Sequence, residues 1–113
     1  MILYFIMKLA IILSTKRAET NWNALRLANL ALAKGDTVTI FLTGEGVEYE
    51  KTDSSQFNIK EQVGKFLKSK KNKIIVCGTC LAIRKQDSVQ ECPAGGIEDL
   101  YNSIAESDKV LTF

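Results

Sequence analysis

The stretch "IIVCGTCLAIR" (residues 74–84) places β-branched residues directly before two cysteines and a group of helix formers. The β-branched run predicts a buried strand that ends at Cys77, and the residues after it predict a short helix that carries Cys80. Gly78 between the two cysteines allows a tight bend. These residues leave four interpretations of the pair open: a redox disulfide, half of a metal site, a sulfur-handling thiol, or packing alone.

The composition is that of an ordinary globular domain. The chain has 113 residues, of which 46% are hydrophobic and 25% charged, and this length suits one domain with a two- or three-layer core. We therefore expect a single domain over residues 1–113. A net charge of +2 gives no electrostatic case for nucleic-acid binding. An odd number of cysteines, three in all, argues against a disulfide framework and favours a reducing cytoplasm.

The N-terminal run "MILYFIMKLAIIL" (residues 1–13) looks like the start of a signal peptide or a membrane helix. It is too short to span a bilayer, Lys8 interrupts it, and no small-residue cleavage site follows. We therefore expect a buried strand from Lys8 to Leu13, with residues 1–6 as a possible N-terminal extension and no membrane partner.

Strand and helix patterns alternate along the rest of the chain. Further strands are predicted at "DTVTIFL", "KIIVCG" and "KVLTF", with "TGEG" as a glycine turn and residues 48–57 as a polar loop. The helix "TNWNALRLANLALAKG" is predicted to begin at Thr20 or Asn21, with Trp22 in a core or subunit contact. Asn58 and Glu61 form a capping pattern at the start of the next helix. The last helix is amphipathic, with one apolar face made of Ile97, Leu100, Tyr101 and Ile104.

Buried strands that alternate with amphipathic helices predict an α/β fold. We expect a three-layer α/β/α domain with a mostly parallel sheet of four or five strands. Right-handed crossovers place every strand-to-helix turn at one edge of such a sheet, where ligands and chemistry collect. The segments "STK" (14–16), "TGEG" (43–46) and "CGTC" (77–80) are therefore predicted to converge there.

The surroundings of the cysteine pair narrow its chemistry. Cys80 lies in the first helical turn, where unpaired N–H groups favour a thiolate, and Arg84 adds positive charge one turn later. Structural zinc needs four ligands, but the chain has no histidine and only Cys92 besides the pair, so we expect no metal and no other cofactor. A thioredoxin-type site is disfavoured because the pair follows the third predicted strand and the only proline, Pro93, directly follows Cys92.

The order of these motifs resembles the DsrE/DsrF-like family, which includes the TusD-type sulfur relay proteins. The resemblance spans residues 7–113 and is most specific at Cys77 followed about two helical turns later by Arg84. It implies that Cys77 accepts sulfur as a persulfide and passes it to a partner. The second cysteine of "CGTC", Cys80, and Cys92 in "ECPAGG" are similar to one branch of the family. The resemblance also implies a three-layer parallel sheet and assembly into trimers or hexamers.

Two classes of function follow. The first is a sulfur carrier or sulfurtransferase that forms a persulfide on Cys77, with Cys80 as a resolving or assisting thiol, and exchanges sulfur with donor and acceptor proteins. The second is a non-catalytic oligomeric binding module whose thiols are structural or bind metal. Cys92 is as compatible with a reactive thiol as with a loosely packed one. An acidic stretch is either a solvated loop or a docking surface for a basic partner; it comprises Glu45, Glu48, Glu50 and Asp53.

Overall fold

The computed structural model describes residues 6–70, 72–89 and 91–113, so residues 1–5 of the possible extension lie outside the described ranges. Within those ranges, no helix has the length and apolar character needed to cross a membrane. The elements, with a 3₁₀ helix named η1, are β1 (Lys8–Leu13), α1 (Ala18–Ala33), β2 (Thr37–Leu42), η1 (Gly44–Thr52), α2 (Ile59–Leu67), β3 (Asn72–Cys77), α3 (Gly78–Ile83), β4 (Ala94–Gly95), α4 (Ile97–Ala105) and β5 (Lys109–Thr112).

The five strands form one parallel sheet in the order β4-β3-β2-β1-β5. Helices α1 and α2 pack on one side of the sheet, and α4 crosses the other side to contact β2 and β4. The predicted three-layer α/β/α fold with a parallel sheet is therefore confirmed. Strand β4 has only two residues, which is too short to leave a hydrophobic pattern in the sequence.

The main core lies between the sheet and the helices α1 and α2. Because successive strand residues point to opposite faces, alternate residues of β1, β2 and β3 reach this layer. Burying one large aliphatic or aromatic side chain contributes roughly 1.5–3 kcal/mol relative to leaving it exposed. The strands β1, β2 and β3 and the helices α1 and α2 contribute Leu9, Ile11, Leu13, Leu25, Val38, Ile40, Leu42, Ile59, Phe66, Ile74 and Val76 to this core.

Helix α1 begins earlier than its pattern predicted. The residue at its N-cap is Arg17, whose side chain makes no capping hydrogen bond. Asn21, a predicted cap, is instead buried in the helix and its Nδ2 donates to the Thr15 carbonyl at 2.8 Å. Trp22 is partly buried against the core and meets Phe57 edge-on, with ring centroids 5.5 Å apart.

The prediction of a glycine turn followed by a polar loop is wrong in part, because residues 44–52 form η1. Two residues of η1, Val47 and Tyr49, are buried in the core, although charged residues flank them in the sequence. Gly46 packs so closely on β1 that an added Cβ would lie 2.1 Å from the Leu13 carbonyl oxygen. Gly44 has a φ of +55°, a left-handed conformation that glycine adopts without a steric penalty.

An amphipathic helix on a sheet normally packs its apolar face against the sheet, but α4 has the opposite orientation. Its apolar face points outward, with Ile97 80%, Tyr101 69% and Ile104 44% exposed, and the buried residue of the helix is Ser103. A polar cleft of about 270 Å³ lies beneath the helix. The strand residues that line this cleft are themselves largely polar, so the sheet offers α4 little apolar surface there: Lys8, Leu9, Thr37, Thr39, Lys73 and Ile75.

Candidate functional site: a thiol pair at the carboxyl edge of the sheet

The predicted convergence at the carboxyl edge of the sheet is confirmed. The backbone N–H of Gly44, just after β2, donates to the sulfur of Cys80, just after β3. Lys16, in the turn after β1, forms an ion pair with Glu45 at 3.4 Å. The turns after three neighbouring strands therefore meet around the cysteine pair.

Cys77 ends β3 and caps the helix that follows. Its Sγ accepts a hydrogen bond from the Cys80 N–H at 3.4 Å, so the cysteine itself fills the N-cap position of α3. The neighbouring strand approaches closely here, because Cys77 pairs with Gly95 in the β3–β4 register. Burial of this half-exposed side chain raises the pKa of the Cys77 thiol, and the adjacent Cys80 raises it further.

Cys80 has a different environment, supplied largely by the turn after β2. Its Sγ accepts the Gly44 N–H at 3.2 Å and lies 3.7 Å from the Thr43 hydroxyl oxygen. A hydrogen bond with the Cys77 thiol lowers the pKa of Cys80 most, and the Gly44 N–H, the Thr43 hydroxyl and the charge of Arg84 lower it further. Because each of these contacts favours the charged form, the negative charge of the pair belongs mainly on Cys80.

Arg84 links α3 to η1 behind the thiols. Its Nε donates to Glu48 Oε1 at 2.7 Å, and its Nη1 donates to the Cys80 carbonyl at 3.2 Å. Glu48 also pairs with Lys51 at 3.1 Å. Lys51 and Arg84 together hold the pKa of the Glu48 carboxyl below its usual range. The arginine that resembles the family motif is thus fixed by contacts within the chain.

The side chains of the acidic stretch make contacts within the chain. Each of its four carboxylates has a hydrogen-bond or ion-pair partner, which favours a structural surface loop over a docking surface of free charges. The partners are Lys16 for Glu45, Lys51 and Arg84 for Glu48, the Tyr49 hydroxyl for Glu50, and the Lys60 N–H for Asp53.

Cys92, the third thiol, is packed in the buried core. It is 1% exposed, and its sulfur lies 3.6 Å from the Tyr49 hydroxyl oxygen. Burial raises the pKa of the Cys92 thiol, so the loosely packed and reactive alternatives are both disfavoured. Cys92 borders a pocket of about 300 Å³ whose lining includes Leu81 and Val89 but not Cys77 or Cys80.

The chemistry available at this site is that of two neighbouring free thiols. Cys77, Cys80 and Cys92 are all free thiols, and within residues 6–70, 72–89 and 91–113 no group of three or more His, Cys, Asp or Glu side chains is placed to hold a metal ion. A thiolate with a second thiol beside it can attack an electrophilic sulfur and then form a disulfide.

Sequence reasoning placed "TGEG" at the same edge as the cysteine pair but missed the hydrogen-bonding roles of Thr43 and Gly44. Both lie more than thirty positions from Cys80 along the chain, beyond the reach of local patterns. The available signal was topological: "TGEG" follows the strand that pairs with β3, so its first N–H groups had to lie beside the turn that carries the cysteines.

Known proteins resemble this chain in fold and in sequence. The crystal structure of the ychN protein from E. coli superposes with a TM-score of 0.79 over 96% of this chain and 100% of that one, at 19% identity, which supports the fold. The uncharacterized protein MJ0989 of Methanocaldococcus jannaschii is 32% identical over 104 residues, covering 84% of this chain and 88% of that protein. Since the model of the DsrE/DsrF-like family matches residues 7–113, this chain belongs to that family.

Proposed function

We propose that this chain carries sulfane sulfur on the Cys77–Cys80 pair, between a donor persulfide and an acceptor thiol. Membership of the DsrE/DsrF-like family indicates a sulfur-relay-type role in general. One observation carries the finer proposal: the Cys80 sulfur accepts the Gly44 N–H at 3.2 Å, with the Cys77 thiol beside it. A sulfur acceptor must be a thiolate, and this arrangement favours the thiolate form of Cys80.

The proposed reaction needs only the two thiols and a persulfide donor. A thiolate of the pair attacks the outer sulfur of the donor R–S–SH, a new S–S bond forms, and R–S⁻ leaves. The persulfide then passes its outer sulfur to an acceptor thiolate. Alternatively, the second thiol attacks the inner sulfur, which releases H₂S and leaves a Cys77–Cys80 disulfide. A C-x-x-C spacing brings two cysteines within disulfide range.

The proposed setting is a reducing cytoplasm, with donor and acceptor proteins as partners and no cofactor. Three free thiols in one domain suit such a compartment better than an oxidising one. The sulfur on the pair would be exchanged with other cysteine proteins by the same thiolate attack, so the partners are expected to present persulfides or thiols at their own surfaces.

Self-association, as a trimer or hexamer, is part of the proposal. Its support is the outward face of α4, where Ile97, Tyr101 and Ile104 are exposed. Contiguous apolar surface of this kind typically marks a protein interface. A second copy is the proposed occupant, because most oligomers of small domains are symmetric assemblies of one chain.

The direct test is intact mass measurement after incubation with glutathione persulfide, followed by treatment with a reductant. The wild type is expected to gain the mass of one sulfur atom and to lose it on reduction. The matched control is the double variant Cys77→Ser/Cys80→Ser, which keeps the buried Cys92 and should not load. Equal loading of the double variant and the wild type would refute the carrier function and favour the binding-module alternative.

A further inference from the structure

We infer that Cys80, rather than Cys77, is the thiol that first attacks the incoming sulfur, and that the turn at Thr43 and Gly44 holds it ready. The inference rests on the proposed function, because it divides the work between the two thiols of that site. The family resemblance implies that Cys77 is the acceptor, and the sequence predicts that Cys80 is a resolving or assisting thiol. The contacts around the two sulfurs support the opposite division.

The first step of the argument is hydrogen bonding to sulfur. Cys80 Sγ accepts an N–H from Gly44 at 3.2 Å and has the Thr43 hydroxyl oxygen at 3.7 Å. Cys77 Sγ accepts the Cys80 N–H at the longer distance of 3.4 Å. Hydrogen bonds that end on a sulfur stabilise its charged form. Of the two sulfurs, Cys80 has the shorter backbone contact and a hydroxyl neighbour as well.

The second step is the rigidity of the donor. The Thr43 N–H donates to the Leu13 carbonyl at 3.0 Å, and the Gly46 N–H donates to the Thr43 carbonyl at 2.9 Å. Gly46 also packs directly on the Leu13 backbone. The Gly44 N–H is therefore anchored through β1 and η1 rather than through α3. A donor fixed in advance stabilises charge without reorganising during the reaction.

The third step is the surrounding charge and burial. Arg84 lies one helical turn after Cys80, contacts its carbonyl at 3.2 Å, and is held there by Glu48. Its charge helps to lower the pKa of Cys80, whereas burial raises the pKa of Cys77. When the pair loses one proton, these contacts favour leaving the other proton on Cys77 and the negative charge on Cys80.

The division of work follows from this proton distribution. The Cys80 thiolate attacks the outer sulfur of R–S–SH, the donor S–S bond breaks, and R–S⁻ leaves as Cys80–S–SH forms. Without an acceptor, Cys77 attacks the inner sulfur of this persulfide. The products are a Cys77–Cys80 disulfide and H₂S, whose second hydrogen comes from the Cys77 thiol. Cys77 thus determines how long the carried sulfur survives.

The test compares the Cys80→Ser and Cys77→Ser variants in loading by glutathione persulfide, with Cys92→Ala as the matched third-thiol control. We expect Cys80→Ser to lose most of the loading. Cys77→Ser should still load and should keep its persulfide longer than the wild type, because no second thiol of the pair remains to attack it. Loss of loading in Cys77→Ser, alone or together with Cys80→Ser, would overturn the inference and leave the carrier function intact. Full loading of both single variants would also overturn the inference, because either thiol could then accept the sulfur. Only equal loading of the Cys77→Ser/Cys80→Ser variant and the wild type would refute the carrier function itself.

The role of the turn has its own measurement, made in the Cys77→Ser background so that one thiol of the pair titrates. Thr43→Val should raise the pH midpoint of thiolate formation at Cys80, read from the ultraviolet absorbance of the thiolate. Thr43→Ser keeps a hydroxyl and should restore the lower midpoint. If the valine and serine variants titrate alike while both remain folded by circular dichroism, Thr43 has no part in holding the thiolate.

Discussion

Arg84 and Glu48 form an ion pair with Nε and Oε1 2.7 Å apart, although the two residues belong to different turns of the sheet edge. Arg84 follows α3, which carries Cys80, and Glu48 lies in η1, which begins at Gly44. The pair therefore ties the segment with the reactive sulfur to the segment with its hydrogen-bond donor. Its geometry predicts an effect on thiol chemistry without contact to the sulfur itself.

Replacing Arg84 by Gln is expected to slow alkylation of Cys80 by iodoacetamide several-fold at neutral pH. The substitution removes a positive charge that lowers the pKa of Cys80 and loosens η1 from α3. The matched control is Lys51→Gln, which removes the other partner of Glu48 but has no contact with Cys80 among its described contacts. Mass spectrometry of the alkylated peptide measures the rate. Equal slowing in both variants would show that the slower alkylation comes from the loss of a partner of Glu48 and not from the charge of Arg84 near Cys80.

Replacing Gly46 by Ala is expected to destabilise the fold, because the added Cβ would lie 2.1 Å from the Leu13 carbonyl oxygen. Overpacking of this kind typically costs about 1–3 kcal/mol. Gly64 in α2 is the matched control, since among the described residues its added Cβ would meet no atom within 4 Å beyond its chain neighbours and the nearby backbone of its own helix. Gly64→Ala should stabilise the helix by roughly 0.5–1 kcal/mol. Urea denaturation measures both free energies of unfolding, and a stable Gly46→Ala variant would contradict the close packing of η1 on β1.

Features that depend on neighbouring residues could be predicted from the sequence. The first strand has the predicted bounds Lys8–Leu13, because its apolar run is continuous and ends in polar residues. The start of α2 was also predicted, since Asn58 Oδ1 accepts the Glu61 N–H at 3.1 Å within a local capping pattern. The parallel sheet followed from the alternation of such elements.

Features that depend on distant residues could not be predicted in the same way. The amphipathic pattern of α4 identified an apolar face but not the side to which that face points. The face points away from the sheet because the strand surface beneath the helix, near Thr39 and Lys73, is polar. The burial of Tyr49 was hidden because its neighbours Glu48 and Glu50 are polar. The contact of Gly44 with Cys80 depends on the sheet order, which local patterns do not contain.

The stability of the fold is expected to decrease in alkaline solution because of Cys92 and Tyr49. Burial raises the pKa of both groups in the folded chain. Above the unfolded values of about 8.5 for cysteine and about 10 for tyrosine, the unfolded chain loses these protons first. It then binds fewer protons than the folded chain, so the free energy of unfolding falls as the pH rises.

Cys92→Ala tests the thiol part of this dependence, in a Cys77→Ser/Cys80→Ser background that removes the other thiols. Urea denaturation at a series of pH values should show a shallower decline above about pH 8.5 than in the background that keeps Cys92. The comparison uses the slopes, because the lost side chain also changes the stability at every pH. Parallel curves would show that Cys92 ionises as easily in the folded chain as in the unfolded one.

Replacing Tyr101 by Lys is expected to reduce self-association. Tyr101 lies in the middle of the exposed apolar face of α4 and is 69% exposed in the single chain. A lysine there would place a charge inside the proposed interface, where an unpaired charge is costly. Leu30→Lys is the matched control, because Leu30 is 52% exposed on α1, on the other side of the sheet. Sedimentation velocity at micromolar concentration should show an oligomer for the wild type and the control, and smaller species for Tyr101→Lys. A monomeric wild type would refute the proposed self-association. Dissociation by Leu30→Lys alone would indicate that the interface lies on α1 rather than on α4.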